Sequence, residues 1–375
     1  MSNTWIRKTE AGRYRACYRD PSGATRSKTF GRVGDAKGWL AQQTVSIAEG
    51  SHVDPRLGRV KFSEFFEKFL DSSEIRPSTR DRYERHARLY VLPSFGNRRL
   101  SSITPTDVRA WKTDLTKRGI GASTIVSALR LLKAAFNRAV ADELIGRSPA
   151  KNVENPNADP PGGMRVLEAE QVSRLGGVVD ERYRALILTL ATRGLRIGEA
   201  AALRVGDVDL MRGRLTVSRT LTEVAGHLTE GPPKTAAGVR SLSLPPFLRD
   251  ALTEHVARFS DPADPKAYVF TMGEGGPIRP NNFRKRVFAP ALVAAGLDSD
   301  ITPHDLRDTA ATLAFAAGAS VKEVSNMLGH SNPAITLNRY TGVLESMSTR
   351  TDEALDAAFR TETATLSGDA KVIGL

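Results

Sequence analysis

The sequence predicts an α+β multidomain protein: a small three-stranded β-sheet plus a helix, a four-helix bundle, and a mostly α domain with a small antiparallel sheet. Three observations support this fold class. Short strand patterns separated by turn residues occupy residues 4–30, and amphipathic helical patterns fill residues 61–150. A segment rich in Asn, Pro and Gly, residues 151–164, then separates the bundle from residues 165–360, where helical patterns and short strands mix.

The first predicted domain, residues 1–50, consists of the sheet and one helix. The strands are "TWIRKT", "RYRACYRD" and "TRSKTF", with "PSGA" as a turn, and "GDAKGWLAQQTVSIAEG" is a helix that closes on Gly50. Arginine and aromatic residues interleave on these strands, and a β-ribbon fits the major groove of DNA. The residues by themselves are equally compatible with a DNA-binding module and a protein-docking module.

The second predicted domain, residues 61–150, is helical. Its first helix has apolar residues at the spacing of one buried face: Phe62, Phe65, Phe66, Phe69 and Leu70. The second helix is expected to begin at a cap on Ser78 or Thr79. A Thr104 cap, Pro105 at the first helical position and a terminal Gly119 delimit the third helix. The segment "STIVSALRLLKAAFNRAV" supplies the fourth.

The composition predicts a protein of a reducing, cytoplasmic compartment. Cys17 is the only cysteine, which excludes an intrachain disulfide and a thiolate metal site. No run of about 18 apolar residues indicates a transmembrane helix, and "MSNTWIRKTE" lacks the apolar stretch of a signal peptide. No membrane partner is therefore expected.

The net charge of +12 is unevenly distributed along the chain. Residues 1–60 carry 11 Lys/Arg against 5 Asp/Glu, and residues 61–150 carry 17 against 10, whereas residues 151–375 carry 26 against 27. All the excess positive charge thus belongs to the first 150 residues. This asymmetry indicates a front half that binds a polyanion broadly, with a merely basic surface as the alternative on charge alone.

Residues 301–340 contain three helices with clear start and stop signals. The helices run from Thr302-Pro303 to Gly318, from Ser320, with a capping-box Glu323, to Gly329, and from Asn332-Pro333 onward. His304 and Arg307 are three residues apart, so they are neighbours on one face of the first helix. His330 lies in the turn after the second helix, and Tyr340 lies near the end of the third.

The same stretch has a competing interpretation. In "LAFAAGASVKEVSNMLGHS" a helix, a Gly turn, a Ser cap and a second helix follow one another at the spacing of a helix-turn-helix DNA reader. These residues alone do not decide between a non-catalytic regulator and an enzyme. A helix-turn-helix module, however, needs neither the His-x-x-Arg before it nor the Tyr after it.

Two further cations stand upstream. "ATRGLRIGEAAALRVGDVD" places Arg196 at the start of a helix with Glu199 one turn later, and its apolar flanks predict that this helix is buried, where an arginine is costly to keep. "PPKTAAGVRSLSLP" places Lys234 in a hairpin loop between strands near 214–220 and 238–244. Taken singly, a loop lysine is most often only solvated.

Together these motifs resemble a known family. The ordered set "GLRIGEA", "PPKT", "HDLR", "LGH" and the following "RY" is similar to the tyrosine recombinases, the phage integrase family. The resemblance of the catalytic domain spans about residues 165–345, the bundle resembles the core-binding domain, and residues 1–50 resemble the arm-binding domain of the larger phage integrases. Each motif is weak by itself, whereas all five in family order are highly specific.

The resemblance implies a catalytic set, namely Arg196, Lys234, His304, Arg307, His330 and the nucleophile Tyr340. A phosphodiester cut by a side chain builds up charge on its non-bridging oxygens, and arginine suits that charge because its planar guanidinium is always charged. The resemblance implies that Arg196 and Arg307 stabilise this charge and that the histidines donate hydrogen bonds to the same oxygens. His304 helps to take the tyrosine proton, and Lys234 protonates the leaving 5′-oxygen. Tyr340 forms a 3′-phosphotyrosyl link, so that rejoining requires no ATP.

The implied function is that of a site-specific recombinase, an integrase that integrates or excises phage or mobile-element DNA. Its implied partners are double-stranded DNA with core- and arm-type attachment sites, a homotetramer on that DNA, an excisionase-like direction factor and a host DNA-bending protein. The sequence contains no carboxylate cluster of the kind that binds Mg²⁺, so neither a metal nor another cofactor is expected. Asp207 and Asp209 are expected to be surface or structural residues, and Glu199 is expected to orient Arg196.

Two alternatives to the recombinase stay open at this point. A type IB topoisomerase shares the catalytic set but relaxes DNA as a monomer, and the helix-turn-helix regulator performs no chemistry. The C-terminal tail, residues 361–375, is also ambiguous. Its polar stretch and apolar end "KVIGL" would either dock on a neighbouring subunit or fray.

Overall fold

The structure, a computed structural model, describes residues 4–48, 54, 56–156 and 164–343. It divides into two compact units, Met1–Pro160 and Pro161–Leu375. The predicted tail at 361–375, residues 344–360 of the predicted third domain and the expected helix end at Gly50 lie outside the described residues. No helix in the described part of the chain is long and apolar enough to cross a membrane.

The first three strands form an antiparallel sheet in the order β1-β2-β3, as the strand patterns predicted. The elements are β1 Thr4–Lys8, β2 Tyr14–Arg19, β3 Thr25–Phe30 and the helix α1 Val33–Ala48. Ala16 and Tyr18 of β2 are fully buried, where they pack with Ala36 and Leu40 of α1. One face of the sheet is therefore covered by the helix.

The opposite face of this sheet carries arginines. Successive side chains of a strand point to opposite faces, so Arg15 and Arg19 point away from the face that Ala16 presents to α1. Arg7 of β1 lies directly opposite Arg15 in the register and belongs to the same face. All three arginines are exposed. We call this surface, Arg7, Arg15 and Arg19, the open face of the sheet.

A helical bundle follows in the same unit. Its helices are α2 Phe62–Asp71, α3 Pro77–His86, α4 Leu92–Phe95, α5 Pro105–Lys117 and α6 Ala122–Ala141. A π-helical turn, Ala87–Val91, joins α3 to α4. The predicted start of α3 at Ser78 or Thr79 is wrong, since the helix begins at Pro77, whose fixed φ suits the first helical position and whose missing N–H is not needed there.

The apolar face predicted for α2 forms the centre of the bundle core. Phe62 is fully buried and packs against Phe136 of α6, with the two ring centroids 5.4 Å apart. The predicted Thr104 cap of α5 is present as a capping box with Asp107, whose carboxylate accepts the Thr104 backbone N–H at 2.7 Å. Gly119 follows α5 with a φ of +73°.

The second unit is mostly helical, with small antiparallel sheets in its described residues. Its elements are α7 Ala169–Val178, α8 Glu181–Arg193, α9 Ile197–Ala201, β4 Val208–Asp209, β5 Arg214–Val217, β6 Thr220–Val224, β7 His227–Gly231, β8 Arg240–Ser243, α10 Pro246–Phe259, α11 Pro280–Phe283, α12 Ala289–Ala294, α13 Asp305–Ala316 and α14 Val321–Leu328. Residues 333–343, to the end of the described chain, form α15. Leu186, Ile187 and Leu190 of α8 are fully buried in its main core.

The predicted pair of strands with a single loop between them is wrong. Strands β5 and β8 do pair, with Leu215 opposite Leu242, but the connection between them contains a separate hairpin, β6-β7. Its two turn residues, Ala225 and Gly226, both have positive φ, at 48° and 81°. Hairpin turns of this conformation usually contain Asn-Gly or Asp-Gly. This turn has alanine at the first of the two positions, so the sequence did not indicate a hairpin.

The start of α13 also differs from the prediction. The backbone N–H and the hydroxyl of Thr302 both donate to Asp305 Oδ2 at 2.7 Å, so the Thr302 side chain does not cap a helical N–H. The helix α13 begins at Asp305 rather than at Thr302-Pro303. The other two starts were predicted correctly. Ser320 forms its capping box before α14, and Asn332 Oδ1 accepts the Ala334 N–H at 2.9 Å before α15.

We expect Phe136→Ala to destabilise the bundle by about 3–5 kcal/mol, because it removes a fully buried ring and leaves a cavity beside Phe62. Leu89→Ala is the control in the same bundle, since Leu89 is 46% exposed and such a change costs less than about 0.5 kcal/mol. Native-state hydrogen exchange on the full chain, followed over residues 61–150, measures both. Equal loss of protection in the two variants would contradict the packing described for α6.

Candidate active site

The site begins where α8 ends. Gly194 terminates α8 with a left-handed φ of +62°, and a Cβ at this position would lie 2.6 Å from Leu328 Cδ2. A Cβ here would require the Leu328 side chain to shift, and the left-handed φ by itself favours glycine. Glycine thus suits the close approach of the end of α8 to the Leu328 side chain. The chain then passes through the buried Leu195 to Arg196, which precedes α9. Arg196 is thereby placed next to the end of α14.

Arg196 and Glu199 form a reciprocal pair at the start of α9. Glu199 Oε2 accepts the backbone N–H of Arg196 at 3.0 Å, and Oε1 accepts from Arg196 Nη1 at 2.7 Å. The expectation that Arg196 is buried is wrong, since its side chain is 43% exposed and that of Glu199 is 2% exposed. The apolar flanks bury the carboxylate, and the guanidinium that it holds stays open to an anion from solvent.

Glu199 also binds a second guanidinium, that of Arg240 on β8. Arg240 Nη2 donates to Glu199 Oε2 at 2.9 Å, and the Arg240 side chain is 7% exposed. Burial by itself raises the pKa of Glu199, but the charge of Arg240 and the hydrogen bonds from Arg240 and Arg196 outweigh burial and lower this pKa overall. Glu199 is therefore an anion at neutral pH and offsets the repulsion between the two arginines.

Arg307 lies on α13 with only 3% of its surface exposed. Its Nη1 donates to the backbone carbonyl of Gly194 and its Nη2 to that of Leu328, both at 2.5 Å. The two carbonyls stand at the C-terminal ends of α8 and α14. Burial, followed by the charge of Arg196, lowers the pKa of Arg307 to about 9, so the guanidinium keeps its charge at neutral pH.

His330 lies in the turn after α14 and is half-buried. Its Nδ1 is 2.7 Å from the hydroxyl of the buried Thr336, and this hydrogen bond fixes the plane of the ring. Loss of hydration, followed by the charges of Arg307 and Arg196, lowers the pKa of His330 to about 4. The imidazole is therefore neutral at pH 7, and a bound phosphate would favour its protonation.

His304 directly precedes α13 and is exposed at the surface. Partial loss of hydration lowers its pKa, Asp308 opposes this change, and the positive charge of Arg307 adds to it. His304 is thus a neutral base near pH 7. It stands beside the same arginine as His330, so the two histidines share one cationic environment.

Tyr340 is buried on α15 with 1% of its surface exposed. Its hydroxyl donates to Asp308 Oδ1 at 2.7 Å, and its ring lies against Phe315 with the ring centroids 5.8 Å apart. Arg339 holds the same carboxylate, with its Nε donating to Oδ1 at 2.8 Å and its Nη2 donating to Oδ2. Burial, followed by the hydrogen bond to Asp308 and its charge, raises the pKa of Tyr340. The phenol is therefore held in its protonated form.

The structure places Lys234 in the exposed segment between β7 and β8, rather than in the loop of the single hairpin that was predicted. The other five predicted residues, Arg196, His304, Arg307, His330 and Tyr340, interact with one another by hydrogen bonds or by charge. The loop that carries Lys234 contacts this cluster through its backbone, because a Cβ on Gly329 would lie 2.8 Å from the carbonyl oxygen of Ala237. Gly329 immediately precedes His330.

Sequence reasoning missed three charged residues of the site: Arg240, Asp308 and Arg339. Arg240 had a detectable signal, since period-two alternation in β8 puts it on the same inward side as Leu242, where an arginine is unusual. Asp308 directly follows Arg307 and precedes the largely apolar helical stretch "TAATLAFA". Arg339 belongs to the quoted "RY" motif and lies on an exposed helical surface, but the sequence analysis gave it no role.

The high local positive charge of the cluster suits it to bind one anion. Two guanidinium groups, Arg196 and Arg307, converge with the neutral imidazole of His330, and planar guanidinium groups match phosphate oxygens in pairs. Buried dipoles and charges that are fixed before a reaction stabilise charge that develops during it. In the described residues, no group of three or more His, Cys, Asp or Glu side chains could hold a metal ion.

Three family models match the chain. They describe the phage integrase family over residues 165–347, an N-terminal SAM-like domain of phage integrases over residues 61–116, and an N-terminal domain of phage integrases over residues 3–49. The chain is also 29% identical over 340 residues to a putative prophage phiRv2 integrase of Mycobacterium tuberculosis, an alignment that covers 88% of this chain and 89% of the relative.

Solved structures share the fold. The chain is similar to the Tn1549 transposon integrase in complex with transposon right end DNA, with a TM-score of 0.67 and 23% identity over 78% of this chain and 99% of that chain. It is also similar to a lambda integrase tetramer bound to a Holliday junction, with a TM-score of 0.57 and 19% identity over 90% of this chain and 94% of that one. The chain belongs to the phage integrase family and is a site-specific tyrosine recombinase, an enzyme that cuts and rejoins DNA.

Proposed function

We propose that this recombinase cuts DNA by attack of the Tyr340 hydroxyl on a scissile phosphorus. The bond between the tyrosine oxygen and phosphorus forms, and the P–O5′ bond breaks. The electron pair of that bond goes to the 5′-oxygen, which takes a proton from Lys234, and His304 accepts the phenol proton. The products are a 3′-phosphotyrosyl link and a free 5′-hydroxyl. Attack by the 5′-hydroxyl of a partner strand reverses these steps and rejoins the DNA without ATP.

The observation that carries this proposal is the convergence of Arg196, Arg307 and His330 in one cluster with Tyr340. Arg196 is exposed and oriented by Glu199, so it can receive a phosphate oxygen without first being released. The lowered pKa of His304 supports its role as a base, because a neutral imidazole can accept a proton near pH 7. These groups match the needs of a phosphoryl transfer with a side-chain nucleophile.

Tyr340 is held in a protected position on α15. Its hydroxyl is hydrogen-bonded to Asp308 and shielded from solvent, so attack requires that this hydrogen bond first break. Asp308 is a poor base for the phenol. Its burial would raise its pKa, but hydrogen bonds from Arg339 and Tyr340 outweigh burial and lower that pKa. Asp308 therefore keeps the proton on Tyr340 until DNA binding repositions α15.

The open face of the first sheet is proposed to bind arm-type attachment sites. Arg7, Arg15 and Arg19 present three exposed guanidinium groups on one surface of an antiparallel sheet, a shape that the major groove accommodates. The net positive charge of the first 150 residues supports broad contact with phosphates. In this proposal the bundle at 61–150 holds the core-type site.

The proposal extends to assembly and partners. Recombination joins two duplexes, so four chains acting together as a homotetramer are proposed, in keeping with the lambda integrase tetramer bound to a Holliday junction. An excisionase-like direction factor and a host DNA-bending protein are proposed from the family resemblance. The enzyme would act in the cytoplasm of its host cell, where the DNA to be recombined lies.

Tyr340→Phe should reduce covalent attachment to DNA to background while leaving DNA binding intact, because phenylalanine keeps the buried ring but lacks the attacking oxygen. Nicked duplexes trap the adduct, since the short strand released after cleavage diffuses away. The cleavage site is first recovered by sequencing DNA fragments that become attached to the wild-type chain. Tyr183→Phe, in the same unit, is the control and should still form the adduct.

Other outcomes of this experiment point elsewhere. An adduct that persists in the Tyr340→Phe variant would assign the nucleophile to another residue. Specific binding without any adduct from the wild-type chain would favour a non-catalytic regulator. Relaxation of supercoiled DNA without strand exchange would favour a type IB topoisomerase.

Asp308→Asn should shift the pH dependence of adduct formation to lower pH. Attack requires loss of the phenol proton, so a raised pKa of Tyr340 shifts the pH at which the adduct forms to higher values. Asp308 contributes to the raised pKa, and removal of its charge therefore lowers the pKa of Tyr340. Adduct yield measured between pH 6 and pH 10 under single-turnover conditions gives the profile. Asp300→Asn, at an exposed ion pair with Arg165, should leave the profile in place. A profile that stays unchanged in Asp308→Asn would count against a resting contact.

Replacing Arg7, Arg15 and Arg19 by alanine should weaken binding to duplex DNA and make it less sensitive to salt. Each lost phosphate contact reduces the slope of log affinity against log salt by about 0.9, so the triple variant should lose up to about 2.7 of that slope. Titrations of a 30-base-pair duplex of arbitrary sequence at several salt concentrations measure it.

Lys37→Ala on α1, the covered side of the sheet, is the matched control. It removes a positive charge from the same domain and should change the salt slope less than any one of the three arginines. Cleavage at the core site should survive in the triple variant. A triple variant that keeps the wild-type salt slope would show that the open face does not bind DNA.

A further inference from the structure

Arg240 is a buried arginine to which neither the motif comparison nor the proposed chemistry assigns a role. It occupies the first position of β8 and points inward on the same side as Leu242. Its side chain is 7% exposed. Removing a guanidinium from water costs free energy unless its N–H donors find hydrogen-bond partners. The groups that Arg240 binds therefore indicate its role.

Its three guanidinium nitrogens bind three separate parts of the active site. Nη2 donates to Glu199 Oε2 at 2.9 Å, Nε donates to the carbonyl of Met327 at 2.7 Å, and Nη1 donates to the carbonyl of Gly238 at 3.0 Å. Glu199 orients Arg196, Met327 lies in α14 just before the His330 turn, and Gly238 belongs to the loop of Lys234. A single side chain therefore joins these three segments.

The link from Gly238 to Lys234 is short and closely packed. A Cβ on Gly238 would lie 2.5 Å from the Cβ of Pro233, the residue immediately before Lys234. The turn between them is closed by two backbone hydrogen bonds, from Gly238 to Thr235 at 2.9 Å and from Val239 to Ala236 at 3.0 Å. The bond from Arg240 to Gly238 therefore fixes one side of a compact turn, and Lys234 stands on its other side.

The same loop lies against the His330 turn. A Cβ on Gly329 would lie 2.8 Å from the Ala237 carbonyl oxygen and 3.0 Å from Arg240 Nη1. Gly329 also has a left-handed φ of +67°, so both its backbone conformation and this close approach require glycine. Arg240 and Gly329 together hold the Lys234 loop next to the turn that presents His330.

We propose that Arg240 is a positioning residue for cleavage, which sets the location of Lys234 relative to the phosphate-binding groups Arg196 and His330. The inference rests on the proposed role of Lys234 as the general acid. Lys234 must reach the 5′-oxygen of the phosphate that Arg196 binds, so its loop has to be fixed to the frame of that arginine. Arg240 provides the connection through Glu199 on one side and Gly238 on the other.

Arg240→Lys is the informative variant. Lysine keeps the positive charge near Glu199, but its single nitrogen cannot direct bonds to a carboxylate and two carbonyls that a planar guanidinium reaches at once. We expect the variant to fold with Lys234 less well placed. Thermal melting of the full chain, compared with the wild type, establishes that it folds.

The test compares two leaving groups at the scissile phosphate. With ordinary DNA, the P–O5′ bond breaks and the 5′-oxygen requires a proton from Lys234. With sulfur in place of the bridging 5′-oxygen, the P–S bond breaks and the electron pair leaves on a thiolate. A thiol has a pKa of about 8.5, so this sulfur departs without a proton, and the general acid becomes unnecessary.

We expect Arg240→Lys to slow adduct formation on ordinary DNA by about 10- to 100-fold, a partial loss of the roughly 100- to 10,000-fold that a general acid contributes. On the DNA with bridging sulfur the variant should react at nearly the wild-type rate. Lys234→Ala should show the same pattern. Arg182→Lys is the matched control, since Arg182 is half-buried, donates to Thr271 at 2.8 Å and stacks on Phe259, and it should show no difference between the two substrates.

The outcomes separate this inference from the proposed function. If bridging sulfur rescues Lys234→Ala but leaves Arg240→Lys slow, Arg240 does not act through Lys234 and the inference is overturned. If Arg240→Lys cleaves ordinary DNA at the wild-type rate, it is overturned as well. If sulfur fails to rescue Lys234→Ala itself, the general-acid role fails first, and the positioning role of Arg240 fails with it.

Discussion

The candidate active site depends on keeping several positive groups close together. Two unit charges 4 Å apart interact by about 4 kcal/mol at an effective dielectric constant of 20, so bare arginines at such distances would drive the surrounding elements apart. Glu199 prevents this, because its buried carboxylate stands between Arg196 and Arg240. The start of α9 and the start of β8 are thereby joined through one anion, and the loop of Lys234 and the turn of His330 are attached to that pair.

Local signals account for the parts of the fold that were predictable from the sequence. The capping box of Ser320 and the left-handed Gly329 delimit α14 by interactions between residues a few positions apart, and such interactions are visible in sequence. The β6-β7 hairpin was missed because its turn places Ala225 at a φ of 48°, a conformation that alanine rarely adopts and does not signal. A hydrogen bond from the distant Arg279, whose Nη1 donates to the Gly226 carbonyl at 3.0 Å, contributes to holding that turn.

In the site, motif order indicated the residues that are proposed to meet the phosphate, and it indicated Glu199 as the residue that orients Arg196, but it did not indicate Arg240 or Asp308. Glu199 and Arg240 are 41 positions apart, and Asp308 and Tyr340 are 32 positions apart. Contacts over such separations follow from the packing of whole elements, and no short pattern encodes them. The same reason explains the error over Arg196, because apolar flanks indicate that a helix is buried but not which of its polar side chains faces inward.

Arg307 is held by the carbonyls of Gly194 and Leu328, at the ends of two helices, rather than by a carboxylate. Each helix end carries about half an elementary negative charge as a dipole but no net charge. The guanidinium is therefore fixed in place without being neutralised, and its full positive charge remains available. Two backbone carbonyls thus hold a cation whose positive charge can act on a bound anion. If a DNA phosphate binds here as proposed, it is the counter-ion of this guanidinium, and binding the strand and balancing the charge of the site become a single event.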